Sequence, residues 1–148
     1  MPWLKKNLLS PTDEDAIVAA IGRAEEGNRG EVRVHLEKKC PHPGGPLARA
    51  EEKFYRLGMH QTLEATGVIL YVAVQEQVAA VYAGPGVHTC CPRSFWKEIT
   101  EEVSRGAREG ELIDTLVAAV DSIGDLLREH IPGTKEIENE LPDEVSVS

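Results

Sequence analysis

Two short segments of the chain contain the residue types that bind zinc most often. The candidates are the three cysteines and two of the five histidines, namely Cys40, His42, His88, Cys90 and Cys91. Structural zinc sites usually take cysteine ligands in pairs separated by two to four residues, and neither segment has such a pair. The elements predicted below place the segments at opposite edges of a sheet, roughly 20 Å apart at about 3.3 Å per strand residue. One ion cannot span that distance, so we expect no zinc site.

Cys91 stands directly before Pro92, where a helix is predicted to begin. A helix dipole stabilises a thiolate at the helix N-terminus, so this position favours a lowered pKa for Cys91. The chain has no partner cysteine in a C-x-x-C motif, and two adjacent cysteines are poorly placed for a disulfide. We therefore interpret Cys91 as a structural thiol.

The same cysteines lack the spacing of a cysteine phosphatase. That class has an arginine six residues after the nucleophilic cysteine, so that the guanidinium and the loop amides surround the phosphate. Trp96 stands six residues after Cys90, and Lys97 stands six residues after Cys91. The sequence therefore excludes this mechanism.

Two other patterns are associated with phosphate chemistry. Asp13 and Asp15 resemble an aspartyl-phosphate pair, but they fall in the first turn of a predicted helix, where acids stabilise the N-terminus. The segment Gly84-Pro85-Gly86 forms a turn before a predicted helix, and the amides of such a turn suit an anion. Two glycines are weak evidence alone, so this turn is a candidate only together with its neighbours.

Glu31 is the carboxylate that the predicted topology places beside the glycine turn, and Glu64 is close in sequence to the same edge. Carboxylates and carbonyl oxygens together can hold a hard cation such as Ca²⁺, which takes six to eight oxygen ligands. A solvated strand end is the other interpretation of Glu31, and residue type alone favours it. Both interpretations stay open at this point.

Hydrophobic periodicity predicts the elements that position these residues, in the order α-β-α-β-β-α-α. Residues 31–37 alternate between polar and apolar side chains, as in a strand with one face in water. Residues 67–74 form an unbroken apolar run, which indicates a strand covered on both faces, and a hairpin then leads to residues 78–83. Apolar stripes, of which the second begins at Leu47, predict helices between Ser10 and Gly27, Leu47 and Gly58, Pro92 and Gly110, and Leu112 and Ile131.

A β-α-β unit crosses over with a right hand in nearly all proteins, which makes the first two strands parallel. The expected fold class is therefore α/β, a small mixed sheet with helices on both faces. In this topology Glu31, Thr66 and Gly67 stand at strand starts, at the same edge as Gly84 after the third strand. Cys40 falls at the opposite edge.

Size and charge narrow the classes of function. The chain has 148 residues and a net charge of −9. We expect one domain over residues 1–133 and an acidic, mobile tail over residues 134–148. The acidic balance is unsuited to nucleic acid or anionic membranes. No segment approaches the ~20 apolar residues that span a bilayer, and residues 1–10 lack the apolar stretch of a signal peptide. The cysteines are also few. Together these features predict a cytoplasmic protein.

A series of short motifs stands along the chain in an order that is specific even though each motif is short. They are Leu9-Ser10, Gly30-Glu31-Val32-Arg33-Val34-His35, Leu57-Gly58-Met59-His60-Gln61-Thr62, Gly67-Val68-Ile69-Leu70-Tyr71-Val72-Ala73, Phe95-Trp96 and Glu140-Leu141-Pro142-Asp143-Glu144. Over nearly its whole length the chain resembles a short soluble bacterial member of the TPM domain family. That family includes thylakoid-lumen proteins linked to photosystem II repair and membrane-anchored bacterial proteins.

The resemblance implies a small sheet flanked by helices and a cleft with acidic residues, for which Ca²⁺ binding and a weak acid phosphatase activity have been proposed in the family. By position it makes Glu31 a metal ligand, and it places Thr66, Gly67, Gly84 and Gly86 in the cleft. Relatives have asparagine where Thr66 stands, Gly-Asp where this chain has Ala83-Gly84, and an aspartate that is replaced within residues 44–46. Each departure removes an oxygen ligand or a carboxylate.

We therefore expect a non-catalytic TPM-like binding or accessory domain that acts through contacts with one or more protein partners. Its cleft is expected to be a degenerate Ca²⁺ site, and no cofactor other than weakly bound Ca²⁺ is expected. The alternative is a weak, metal-assisted acid phosphatase that hydrolyses phosphomonoesters. Such an enzyme needs anionic metal ligands, so the glycine at position 84 is the feature that separates the two interpretations.

Overall fold

The computed structural model describes residues 8–61, 64–134 and 145–148 of the chain. Its element order confirms the predicted mixed α/β class and adds three short elements, namely a 3₁₀ turn, a one-turn helix and a fourth strand. The motif residues Thr62 and Glu140–Glu144 lie outside the described residues. The elements are α1 (Pro11–Ala24), β1 (Glu31–Glu37), α2 (Pro46–Arg56), a 3₁₀ turn (Met59–Gln61), β2 (Gly67–Ala73), β3 (Val78–Ala83), α3 (Pro85–His88), α4 (Arg93–Glu109), α5 (Leu112–His130) and β4 (Val145–Val147).

Local signals set the helix ends where the sequence predicts them. The Ser10 hydroxyl accepts a hydrogen bond of 3.1 Å from the amide of Asp13, which satisfies one of the free N–H groups at the start of α1. Gly110 ends α4 at φ +76°, in the left-handed region that glycine adopts without steric cost. Among the described residues, no helix combines the length and the apolar character needed to cross a membrane.

The sheet has the order β3-β2-β1-β4. β1 and β2 run parallel with Glu31 opposite Gly67, and β2 and β3 run antiparallel with Val68 opposite Ala83. Both pairings confirm the predicted topology. β2 lies in the centre and is buried along its whole length, as its unbroken apolar run predicts.

One face of the sheet carries the larger core. The helices α1, α4 and α5 cover this face. They bury Ile21, Ile99 and Ile123 against every second residue of β1 and β2, such as Val34 and Leu70. Each such side chain contributes about 1.5–3 kcal/mol when it is fully buried. The interdigitation of three helices with one sheet face therefore supplies most of the apolar stabilisation.

The opposite face, which we call the α2 face, carries a smaller core. Phe54 of α2 and Met59 of the 3₁₀ turn pack there against Ile69 and Tyr71 of β2 and Ala80 of β3. The sheet is thus covered on both faces, as predicted. Leu47 departs from the prediction, because it stands at the first turn of α2 and is 57% exposed instead of joining the buried stripe.

The prediction that β1 has one face in water is wrong. All seven residues of β1 are buried, and the polar members Glu31, Arg33, His35 and Glu37 are at most 5% exposed. They lie on the α2 face, where Arg49 of α2 pairs with Glu37 and two serines at the chain end contact His35. The alternation of polar and apolar residues in β1 therefore marks one polar and one apolar face, both of which are buried.

Part of the tail expected over residues 134–148 forms a strand. Val145–Val147 form β4, which pairs in parallel with β1 and places Val145 opposite Val34. The amide of Ser148 donates to the Leu36 carbonyl at 3.2 Å, and Val145 is buried in the larger core. Residues 135–144 of the expected tail lie outside the described residues.

Candidate functional site

The structure brings the predicted cleft residues to one edge of the sheet. The Glu31 amide donates to the Thr66 carbonyl at 3.1 Å, and the Gly84 amide donates to the Gly67 carbonyl at 2.8 Å. Gly86 follows Gly84 by two residues and lies in α3. Sequence reasoning therefore places all five residues correctly relative to one another.

The polar groups at this edge are used in bonds within the protein. The Thr66 hydroxyl donates to the Arg29 carbonyl at 2.7 Å, and the Gly86 amide donates to the Ala65 carbonyl at 2.9 Å. The amides of the two residues after Gly86, Val87 and His88, both donate to the Gly84 carbonyl at 2.9 Å. A turn that binds phosphate needs amides that point at the ligand. The amides of this turn point at carbonyl oxygens instead.

The glycines at this edge allow two backbone segments to approach closely. A Cβ atom on Gly84 would lie 2.7 Å from the Ala65 carbonyl oxygen, and one on Gly86 would lie 2.4 Å from the Glu64 carbonyl oxygen. A Cβ on Gly67 would meet the Phe54 ring at 3.2 Å. These contacts explain the two glycines of Gly-Pro-Gly without a ligand. A larger residue at either position would push the loop before β2 away from α3.

The described residues do not supply the donor set of a calcium site. Glu31 is 1% exposed, and the Glu64 carboxylate forms an ion pair of 3.0 Å with Arg29. No group of three or more histidine, cysteine, aspartate or glutamate side chains with metal-binding geometry occurs within residues 8–61, 64–134 and 145–148. Ca²⁺ takes six to eight oxygens, so the residues present do not fit it.

The cysteines lie where the topology predicts them. The Cys40 amide bonds Glu76 in the β2–β3 hairpin at 2.9 Å, at the edge opposite Cys90 and Cys91. The sulfurs of Cys90 and Cys91 lie 3.6 Å apart and share a weak hydrogen bond. Burial, followed by this contact, raises the pKa of Cys91 to about 12, which reverses the lowering expected from a helix N-terminus. Cys91 is therefore a protonated thiol at neutral pH.

Sequence reasoning missed a buried polar network on the α2 face. The Glu37 carboxylate accepts two hydrogen bonds from Arg49, at 2.7 and 2.9 Å, and one of 2.5 Å from the Tyr71 hydroxyl. Burial alone would raise the pKa of Glu37, but the bonds from Arg49 and Tyr71 outweigh it and lower this pKa to about 2. Glu37 and Arg49 therefore form a charged pair inside the protein at all ordinary pH values.

His35 extends this network to the chain end. Its Nδ1 lies 2.8 Å from the Ser146 hydroxyl and its Nε2 lies 2.8 Å from the Ser148 hydroxyl. Burial, followed by the positive charge of Lys53, lowers the pKa of His35 to about 4, so the ring is neutral at pH 7.

A serine, a histidine and a glutamate close together suggest hydrolase chemistry, but the carboxylate does not hold the ring as it does in a triad. In a triad the nucleophile and the carboxylate both form hydrogen bonds with the histidine, at opposite ring nitrogens. Ser146 bonds Nδ1 here, but the Glu37 carboxylate lies 3.8 Å from Nε2, beyond hydrogen-bond distance, and Ser148 bonds that nitrogen instead. His35 is also only 1% exposed. The network therefore connects β1, α2 and β4, and it has the geometry of a structural element.

An open groove of about 480 Å³ lies between α2, β3 and the N-terminal end of α4. Leu47 and Tyr55 of α2 form one wall, Trp96 and Arg93 of α4 form the other, and Tyr82 of β3 lies between them. Leu47 and Tyr55 are the most exposed large apolar side chains of the described chain, at 57% and 47%. Burial and a hydrogen bond with Tyr55 raise the pKa of Tyr82 to about 12, so its hydroxyl is neutral. The walls of the groove are therefore largely apolar and aromatic.

The fold and these sites define a class of protein, a small mixed α/β domain. The family model described as the TPM domain matches residues 5–126, so the chain belongs to the TPM domain family. This confirms the resemblance inferred from the motifs.

Solved structures agree with this assignment. The NMR structure of BA42 protein from the psychrophilic bacterium Bizionia argentinensis is 32% identical, covers 95% of this chain and 96% of its own, and has a TM-score of 0.84. The N-terminal domain of cg2496 protein from Corynebacterium glutamicum is 12% identical over 92% of this chain and 85% of its own, with a TM-score of 0.65. An N-terminal domain from P. gingivalis is 17% identical over 85% and 82%, with a TM-score of 0.66. The latter two support the fold alone. No match was found among curated proteins.

Proposed function

We propose that this TPM domain is a non-catalytic binding or accessory domain that holds a protein partner in the groove between α2, β3 and α4. The exposure of Leu47 and Tyr55 is the observation that carries this proposal. Large apolar side chains grouped on a concave surface are a common mark of a binding site in a soluble domain.

The state of the polar residues supports a function without catalysis. The hydroxyl and amide groups at the Glu31 edge already bond backbone carbonyls, and the His35 network is buried and fully engaged. A metal-assisted phosphatase is the alternative function, and it would need anionic ligands to hold the metal. The Glu64 carboxylate near that edge is paired with Arg29, which favours the binding function over the alternative.

We expect any Ca²⁺ binding at Glu31 to be weak. With a dissociation constant of about 1 mM and about 1 mM Ca²⁺, linkage stabilises the fold by only about 0.4 kcal/mol. The melting temperature should then rise by about 1–2 °C, and Glu31→Gln should remove that rise. Calorimetric melting with and without Ca²⁺ measures both quantities.

Restoring the family acid by Gly84→Asp is expected to destabilise the domain instead of tightening Ca²⁺ binding. The new Cβ would lie 2.7 Å from the Ala65 carbonyl oxygen. Overpacking of this kind lowers stability by about 1–3 kcal/mol, or roughly 5 °C in melting temperature. Ser94→Asp is the matched control, because it adds the same charge at an exposed position in the first turn of α4. Micromolar Ca²⁺ binding, or phosphomonoester hydrolysis lost in Glu31→Gln, would contradict the proposal.

Site-directed photo-crosslinking in the producing cell tests the partner. A photoreactive phenylalanine analogue in place of Tyr55 is expected to form a discrete adduct with a partner protein, identified by mass spectrometry. Purified partner should then bind the Leu47→Ser variant at least about tenfold more weakly than the unchanged protein, because Leu47 is an exposed anchor of the groove.

The control places the same analogue at Asp15, an exposed position on α1, which packs beside β1, β4 and α5, away from β3. Equal adducts from both positions would indicate chance encounters. Equal binding by the Leu47→Ser variant and the unchanged protein would remove the groove as the partner site.

A further inference from the structure

The groove is formed by the backbone of β3 as well as by apolar side chains. β3 is the terminal strand of the sheet order, so one of its edges faces no other strand within the described part of the chain. Hydrogen-bonding groups alternate along a strand, and the Gly84 amide points at β2. The groups of Tyr82 and Ala80 therefore also point at β2, whereas those of Ala83, Val81 and Ala79 point outward.

One end of this outer edge is occupied and the other end is open. The Ala79 amide donates to the Ser104 hydroxyl of α4 at 3.1 Å, which confirms that this register points away from β2. Val81 and Ala83, in contrast, line the groove. Proteins usually cover or charge such an edge, because its free N–H and C=O groups can pair with another extended chain. The open half of the β3 edge therefore lies between the two walls of the groove.

Charge at the groove favours one kind of ligand. Arg93 and His88 line the α4 end, and neither side chain forms an ion pair with another described residue. The protein as a whole has a net charge of −9, so the Arg93 guanidinium is a positive group in a mainly acidic protein. On the opposite wall, the charge of Glu51 acts on Tyr82. An acidic side chain of a ligand is therefore complementary to the α4 end.

We propose that the groove binds an extended segment of the partner polypeptide, which adds as a further strand to the outer edge of β3. This inference rests on the binding function proposed above and names the form of its ligand. Main-chain bonds to Val81 and Ala83 hold the segment. Because the side chains of a strand alternate between its two faces, the apolar side chains contact Tyr55 on the α2 wall and an acidic side chain pairs with Arg93 on the α4 wall. Strand addition of this type combines sequence-independent backbone bonds with pockets for alternate side chains.

An array of acetylated and amidated pentapeptides tests this mode of binding. The peptides have the pattern apolar-X-apolar-X-apolar, with glutamate, glutamine or lysine at X. We expect glutamate peptides to bind best, and the strongest to slow amide hydrogen exchange at Val81 and Ala83 by at least about tenfold. The amides of Ala80 and Tyr82, which already bond β2, serve as internal controls.

Two variants separate the backbone and charge contributions. Val81→Pro removes an outward N–H without removing a bond to β2, and it should weaken peptide binding at least about tenfold. Val81→Ala keeps that N–H and is its matched control. Arg93→Gln should abolish the preference for glutamate over glutamine while leaving the binding of glutamine peptides unchanged.

The outcomes distinguish strand addition from the groove function itself. Peptide binding that shifts the NMR signals of Tyr55 and Trp96 without protecting Val81 and Ala83 would overturn strand addition and leave the groove function in place. An absence of binding by every peptide would also overturn it, while the crosslink from position 55 decides the groove function independently. If Val81→Pro does not fold, exchange protection in the unchanged protein decides the matter.

Discussion

Replacing Glu37 by alanine is expected to lower the free energy of unfolding by about 3–5 kcal/mol, the usual effect of removing one partner from a buried ion pair. The reason is the charge left behind on Arg49, whose side chain is only 8% exposed and which donates two hydrogen bonds to Glu37. The Tyr71 hydroxyl would lose its acceptor in the same step. Urea unfolding at pH 7 measures the change.

The matched control is Glu52→Ala. Glu52 also bonds Arg49, at 2.6 Å, but its side chain is 32% exposed, so water replaces it readily. We expect only a small loss of stability there. A loss in Glu37→Ala no larger than that of the control would show that the Glu37–Arg49 pair is solvated in solution.

The double variant Glu37→Ala with Arg49→Ala tests whether the stability lost in Glu37→Ala comes from the charge left on Arg49. If the cost of Glu37→Ala arises from an orphaned charge, the double variant should be more stable than the sum of the two single changes indicates. Strict additivity would contradict the assignment of these residues as one charged unit.

Sequence patterns predicted the backbone of this fold better than the environment of its polar residues. The apolar run of β2 can pack only between two layers, and the right-handed crossover rule then fixes β1 parallel to it. The alternation in β1 predicts only that one face is polar. What covers that face depends on Arg49, Tyr71 and Ser146, which are distant in sequence and carry no local signal.

The glycine turn shows why the candidate site was harder to predict than the fold. Gly84 and Gly86 have the same spacing whether they admit a phosphate or a second backbone segment, because both require the absence of Cβ. The Ala65 and Glu64 carbonyl oxygens, which decide the matter, belong to a loop whose path has no sequence signature. The groove was missed for a related reason: Leu47 continues a helical apolar stripe, and periodicity alone does not tell a buried first turn from an exposed one.

Acid is expected to weaken the protein in two separable steps, and the first belongs to His35. Its pKa falls from 6.5 to about 4 in the folded protein, so the unfolded chain binds a proton that the folded chain resists. The contribution of His35 is complete above pH 6.5 and is lost as the pH falls toward 4, by at most about 3 kcal/mol. Glu37 follows in the same direction, because its pKa falls from 4.5 to about 2 in the folded protein.

The charged groups that face His35 are Lys53, Arg49 and Glu37, and the two cations oppose its protonation. The strand β4 should loosen first, since Ser146 and Ser148 contact the ring directly. As the pH falls from 6.5 to 4, amide exchange of Ser148, whose N–H bonds the Leu36 carbonyl, should therefore slow by less than the base-catalysed rate law predicts.

A His35→Gln variant isolates the histidine, because glutamine can still bond both serines and does not titrate. In this variant the loss of stability between pH 6.5 and 4.5 should disappear, while the loss below 4.5 that depends on Glu37 remains. His88→Gln is the control for the same substitution at an exposed position. Parallel pH profiles for the unchanged protein and His35→Gln would show that the ring of His35 takes up its proton as readily in the folded chain as in the unfolded one, and that β4 is held by backbone pairing alone.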